Sequence, residues 1–264
     1  MRKSITTAAV IVLTAFGGPI QADTVSPSTI VIVHGAWSSA GDFKYVEAEL
    51  KKSGNEVITV NLPGHGADKT PVAELTLQGY ADVVKKAIGK KTNITLVGHS
   101  FGGMVISSVA EQIPGQIKKL VYLCAYLPAN GESLFAISSA DKETHIGPYI
   151  QPDEKGGVVG IAKEGILDFF AADAPKKIAD ALIANFKPEP MGPLATPVAL
   201  TAANFGKIDK VYIFTEYDHA IGLTLQKAMA KSANVAKTYS LPTSHTPFFS
   251  QPAVVASILS QEAR

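Results

Sequence analysis

Ser100 lies in the stretch LVGHSFGGMV, residues 96–105, with Gly98 two positions before it and Gly102 two positions after. A G-x-S-x-G pattern holds a serine on a sharp strand-to-helix turn, with its hydroxyl raised and its backbone strained. Gly98 and Gly102 let the strand and the helix approach closely, and Gly103 adds room. The start of the following helix aims free backbone N–H groups at a reacting atom. This arrangement suits nucleophilic attack on a carbonyl carbon. A serine hydroxyl is a weak nucleophile at neutral pH, so it needs a base, and the base needs an orienting acid.

A serine on such a turn is followed along the chain first by the acid and then by the histidine. His245, in LPTSHTPFF, is the histidine that follows the last strand-like run. His34, His65, His99 and His145 come too early, and His219 falls beside the acid candidates. Those candidates are Glu216 and Asp218, in TEYDHAI after the strand-like KVYIFT. Asp218 lies further past the strand end and is preferred, with Glu216 in reserve. Asp209 precedes the strand and belongs at the other end of the sheet. The negative oxygen formed during attack needs two donors. Phe101 N–H, directly after the serine, supplies one. The second comes from the loop VHGAW, where Ala36 is the first choice and Trp37 the alternative.

Strands and helices alternate around these residues. TIVIV (29–33), EVITVNL, NITLVG, IKKLVYLCA, KVYIFT and AKTYSL read as six strands. The first is a continuous β-branched run, the pattern of a strand buried on both faces. Helical spacing fills the intervals between the first four strands and recurs around LTLQKAMAKSA and QPAVVASILSQE. This predicts an α/β fold: a mostly parallel six-stranded sheet with helices on both faces. Residues 129–205 break the rhythm. EGILDFFAAD and PKKIADALIANF read as helices, no strand is evident, and the Pro-rich KPEPMGPLATP closes the segment. A long insertion between sheet strands predicts a helical cap over the strand ends.

The first 22 residues read as a cleaved export signal. Arg2 and Lys3 precede a short apolar run, and small residues lead to a cut after Ala22. The expected location is periplasmic or secreted, without a stable membrane anchor. The single cysteine, Cys124, excludes an internal disulfide and is expected to be a small buried hydrophobe. The formal net charge of +1 gives no basic footprint for nucleic acid. No His-and-carboxylate spacing identifies a metal site, and no glycine fingerprint on the first strand implies a nicotinamide or flavin. No cofactor is therefore expected.

In VHGAW, LPGHG, GHSFGG, YIFTEYD and the late SH, taken in order, the chain resembles α/β-hydrolases over nearly all its length after the leader. VHGAW, LVYLCAYLP and LTAANFGKIDKVYIFTEYDHAI are similar to the branch holding plant methylesterases and hydroxynitrile lyases. The resemblance implies Ser100 as nucleophile, Asp218 as acid, His245 as base, and Ala36 and Phe101 as oxyanion donors. The lyases of that branch carry a lysine directly after the histidine and a threonine after the first-strand histidine. Thr246 and Gly35 stand at those places, which favours the esterase side. The implied activity is hydrolysis of small, rather apolar carboxylic esters. Amide, thioester or C–C hydrolysis, acyl transfer, or ligand binding with vestigial turnover are the alternatives. Tyr126, Phe135, Tyr149, Phe169, Phe170 and Met191 are candidate pocket walls. LPGHG reads as a structural turn touching the rim, and the expected assembly is a monomer or homodimer.

Overall fold

A computed structural model describes residues 29–264 except residue 171. The leader read over residues 1–22 lies outside the described residues. Thr29–Val33 (β1) has five buried residues and no polar face. Such a strand is stable only inside a sheet covered on both sides. β1 pairs with Glu56–Val60 (β2) on one side and Ile94–His99 (β3) on the other. Ile117–Leu123 (β4), Asp209–Thr215 (β8) and Lys237–Leu241 (β9) complete the sheet in the order β2-β1-β3-β4-β8-β9. Every pairing in it is parallel, which sharpens the expected mostly parallel sheet.

Alternate residues of β1 enter two different cores. Val31 and Val33 join Leu77, Tyr80, Val84 and Met104 on one face. Ile30 and Ile32 join Phe43, Leu50, Val255 and Leu259 on the other. The helices Leu77–Ile88 and Gly102–Gln112 thus cover one face, and Lys44–Lys52 and Pro252–Ala263 the other. The strand order changes direction between β1 and β3. That switch opens a crevice at the carboxyl ends of the strands, where open α/β sheets hold ligands. The VHGAW loop and Ser100 both leave the sheet there. Among the described residues, no helix is long and apolar enough to cross a membrane.

The segment between β4 and β8 departs from the sequence reading. It contains helices, among them Leu134–Ser138 and Lys176–Asn185, but it also contains a sheet. Ile150–Asp153 (β5), Val158–Ile161 (β6) and Glu189–Pro190 (β7) pair antiparallel in that order. β5 is exposed throughout and contains Pro152; β7 is two residues long. Neither has the alternation by which a strand is recognised, and proline argues against one. The turn DEKGG between β5 and β6 was the available signal. EGILDFFAAD is not a regular helix either. A short turn, Lys163–Gly165, runs into a π-helical turn, Ile166–Phe170.

Candidate active site

Ser100 follows β3 directly and has φ of 52°, in the left-handed region that non-glycine residues avoid. Its neighbours make room for this turn. A Cβ on Gly98 would lie 2.6 Å from Gly102 O, and one on Gly102 would lie 2.6 Å from Val33 O. Gly103, expected only to add room, is the tightest, because a Cβ there would overlap Tyr126 O. The turn is fixed by its own backbone: Ser100 O accepts from Gly103 N and Tyr126 N, at 3.0 and 3.1 Å. Phe101 is the N-cap of the helix Gly102–Gln112, which places its N–H at the helix head. A Cβ on Gly35 would lie 2.7 Å from Ser100 Cβ, so the VHGAW loop rests directly against the serine.

Asp218 and His245 come together although 27 residues separate them. His245 Nδ1 lies 2.8 Å from Asp218 Oδ2, and both residues are buried. Asp218 is fully occupied as a carboxylate. Oδ2 also accepts from Thr215 Oγ1 at 2.7 Å and Gln226 Nε2 at 3.2 Å, and Oδ1 accepts from Ala220 N and Ile221 N at 2.8 and 2.9 Å. Donors from so many directions hold a buried charge at low cost. Glu216 is exposed and accepts from Ser240 Oγ at 2.7 Å, away from the histidine. With Nδ1 at the carboxylate, His245 turns Nε2 the other way, where it has no partner among the described residues.

A second layer holds the histidine loop. His99 Nε2 donates to His245 O at 2.9 Å, and Cys124 Sγ donates to the same oxygen at 3.3 Å. Burial, reinforced by neighbouring His245, pushes the His99 imidazole well below its ordinary pKa, so it stays neutral. Burial pushes the Cys124 thiol up, in keeping with a small buried side chain that keeps its proton. Thr246 Oγ1 donates to Phe170 O at 2.6 Å and is buried.

Ser100 and His245 share the wall of one cavity of about 400 Å³. Tyr126, Phe135, Phe170 and Met191 line it, as do Ala36 and Trp37. Phe169 and Tyr149, also read as pocket walls, instead face one another 6.1 Å apart in a small core of the cap. The antiparallel sheet forms part of this wall and grips Trp37 twice. Trp37 Nε1 donates to Val159 O at 2.9 Å, and Trp37 N donates to Glu189 Oε2 at 2.7 Å. Trp37 itself has φ of 56°.

Glu189 is a residue that the sequence reading missed. It is wholly buried, and its Oε2 lies 2.9 Å from His65 Nε2. His65 Nδ1 lies 2.9 Å from Pro63 O, so both ring nitrogens face acceptors. That pattern calls for the doubly protonated ring. The His65 pKa is raised: burial lowers it, but the Glu189 charge and hydrogen bond outweigh burial. His34, with its ring centroid 4.8 Å from that of His65, is the opposite case. It accepts from Leu62 N at Nε2, and burial together with the neighbouring His65 pushes it down to about 3. Thus LPGHG, read as a structural turn, carries the core side of a buried cap clamp.

A third grouping is not anticipated by any spacing in the sequence. His145, Asp168 and His219 lie far apart in the chain but meet where the cap touches the acid loop. Asp168 Oδ2 lies 2.8 Å from His145 Nδ1, and Asp168 Oδ1 lies 2.8 Å from His219 Nδ1.

Comparison with known proteins agrees with this architecture. The profile of the alpha/beta hydrolase family matches residues 30–258. An Arabidopsis thaliana protein named as a chloroplastic methylesterase is 30% identical over 260 residues, which is 93% of this chain. The chain spans 66% of that relative's length, just under two thirds. A pyrethroid hydrolase of Sphingobium wenxiniae is 28% identical over 247 residues, covering 89% of this chain and 87% of its own. An extracellular alpha/beta-hydrolase from a Paenibacillus species, described as sharing structural and functional homology with tobacco salicylic acid binding protein 2, superposes with a TM-score of 0.76. It is 27% identical and is matched over 90% of this chain and 99% of its own.

Proposed function

The chain belongs to the alpha/beta hydrolase family, and from that premise we propose that it is a serine hydrolase of small, rather apolar carboxylic esters. One observation carries this reading. His245 is oriented by Asp218 through Nδ1, and its unpartnered Nε2 belongs to a residue that shares a cavity wall with Ser100.

Ser100 Oγ attacks the ester carbonyl carbon while His245 Nε2 takes the hydroxyl proton. Asp218 holds the resulting imidazolium in place and stays ionised. The carbonyl oxygen becomes an oxyanion and is held by Phe101 N–H and Ala36 N–H. Ala36 is assigned over Trp37 because the Trp37 N–H is already spent on Glu189. The tetrahedral intermediate collapses, the C–O bond breaks, and His245 gives its proton to the departing alkoxide. Water then repeats the sequence on the acyl-enzyme, releasing the acid and restoring Ser100.

The cavity supports the substrate class. Leu134, Phe135, Phe170, Met191, Leu194 and Ile221 give it an apolar lining, and about 400 Å³ is the scale of a small-molecule site. The relatives named as a methylesterase and a pyrethroid hydrolase support ester cleavage. Thr246 takes the place of the lysine found in the lyases, and its hydroxyl is committed to Phe170 O. The N-terminal pattern supports export with cleavage after Ala22.

Intact-mass analysis after fluorophosphonate treatment tests the assignment. One adduct is expected, absent in Ser100→Ala, and the same spectrum reports the mature N-terminus. Ser100→Ala should lower ester kcat by about 10⁶-fold. Undiminished turnover in that variant would overturn the reading.

A further inference from the structure

We propose that His145, Asp168 and His219 form a binding site for one divalent transition-metal ion of the zinc type. It lies where the cap meets the acid loop and does not depend on the hydrolytic reading. Three separate segments supply the ligands: a cap loop, the π-helical turn Ile166–Phe170, and the residue after Asp218. Two imidazoles and one carboxylate are a donor set that zinc accepts, with remaining positions left to water. All three residues are partly exposed, so water and ion have access.

The arrangement is more than a pair of hydrogen bonds. Both histidines turn the same atom, Nδ1, to the two oxygens of one carboxylate. Their ring centroids are 3.9 Å apart, and the rings are inclined by 31°. One cation placed between them engages the Nδ1 atoms of both rings and the carboxylate at once. The ligand atoms all lie within 4.8 Å of one another. Ligands at zinc bond lengths sit roughly 3.3 Å apart, so partly exposed rings need only modest rotation. On binding, each imidazole keeps one proton, moved to Nε2, and gives its Nδ1 lone pair to the ion.

The backbone has already paid the cost of bringing the loops together. His145 N donates to His219 O at 2.8 Å, and Thr144 Oγ1 donates to Ala220 O at 3.0 Å. On the same cap loop, Asp141 Oδ2 accepts from Gly222 N at 2.7 Å and Glu143 Oε2 from Thr224 N at 3.0 Å. A π-helical turn at the central ligand is a frequent companion of functional sites.

The test uses tag-free, chelator-treated mature protein titrated with Co²⁺ and then Zn²⁺. One equivalent of Co²⁺ should give visible ligand-field absorption that one equivalent of Zn²⁺ removes. Zinc at about 100 times its Kd should raise Tm by roughly 5–10 °C. His145→Gln and Asp168→Asn should lose the absorption and the Tm rise while keeping a cooperative metal-free melt. Should either variant fail to fold, NMR of the unaltered protein decides: zinc should shift the imidazole resonances of two of the six histidines. No saturable binding, or binding unchanged in folded variants, overturns the proposal. So does zinc that blocks fluorophosphonate labelling, since that places the ion on His245.

Discussion

Two polar clusters fasten the cap to the core, and they do so on opposite terms. Glu189 binds His65 and Trp37 N with its carboxylate fully buried and the histidine nearly so. His145, Asp168 and His219 meet with side chains 49%, 32% and 38% exposed. In the dry cluster, water cannot replace a lost partner, so each group depends on the others. In the wet cluster water can replace any of them, and the net value of the contacts is small. The dry cluster therefore suits holding geometry, and it holds Trp37 beside the proposed oxyanion donor Ala36. The wet cluster suits exchange of ligands.

The largest test of that contrast removes Glu189. Glu189→Leu leaves His65 and Trp37 N without their acceptor, and urea denaturation should show a loss of about 3–5 kcal/mol. The VHGAW loop loosens with it, and ester kcat/KM should fall by about 10², the scale for a displaced positioning element. The double variant Glu189→Leu, His65→Leu should recover much of the stability, because no charge is left buried alone. It should not recover the rate, since Trp37 N still lacks its acceptor. Recovery of both would reduce Glu189 to packing and erase its role in positioning.

A smaller effect comes from pH. The groups facing His65 are Glu189, His34 and Tyr80, with Asp68 contributing at longer range. The His65 pKa is raised above 6.5 in the folded protein. Stability from the pair is therefore complete below the unfolded value and is lost as pH climbs through the folded one. Melting curves between about pH 6 and about pH 9 should show the gap between unaltered protein and Glu189→Gln narrowing with rising pH. A gap that stays constant would mean His65 does not titrate against Glu189.

The same contrast explains what the sequence could show. Ser100 and Asp218 each follow a strand with a local apolar pattern, and His245 follows the mostly exposed edge strand KTYSL; chain order points to all three. All six main strands are legible as short β-forming runs set between helical segments. Glu189 has no such signature. It sits in KPEPMGP, pairs with a histidine 124 residues away, and belongs to a two-residue strand. The sequence puts Ala36 ahead of Trp37 as the second donor, and the donation of Trp37 N to Glu189 supports that order. The three members of the wet cluster are spaced by folding alone, and no motif spacing anticipates them.

The smallest expected effect is the most discriminating for the wet cluster. Asp168→Ala in metal-free protein removes the acceptor of both imidazoles, and each ring turns to water. The cost should be no more than about 1 kcal/mol by urea denaturation, because exposed ion pairs are worth little. It should shrink further in about 1 M salt, where the screening length is about 3 Å. Main-chain bonds such as His145 N to His219 O remain, so the two loops stay joined without the carboxylate. A loss as large as that of Glu189→Leu would show that Asp168 is held as rigidly as the buried clamp. The rings could then not turn to take an ion, and the contrast between a dry positioning cluster and a wet exchangeable one would fail at its second term.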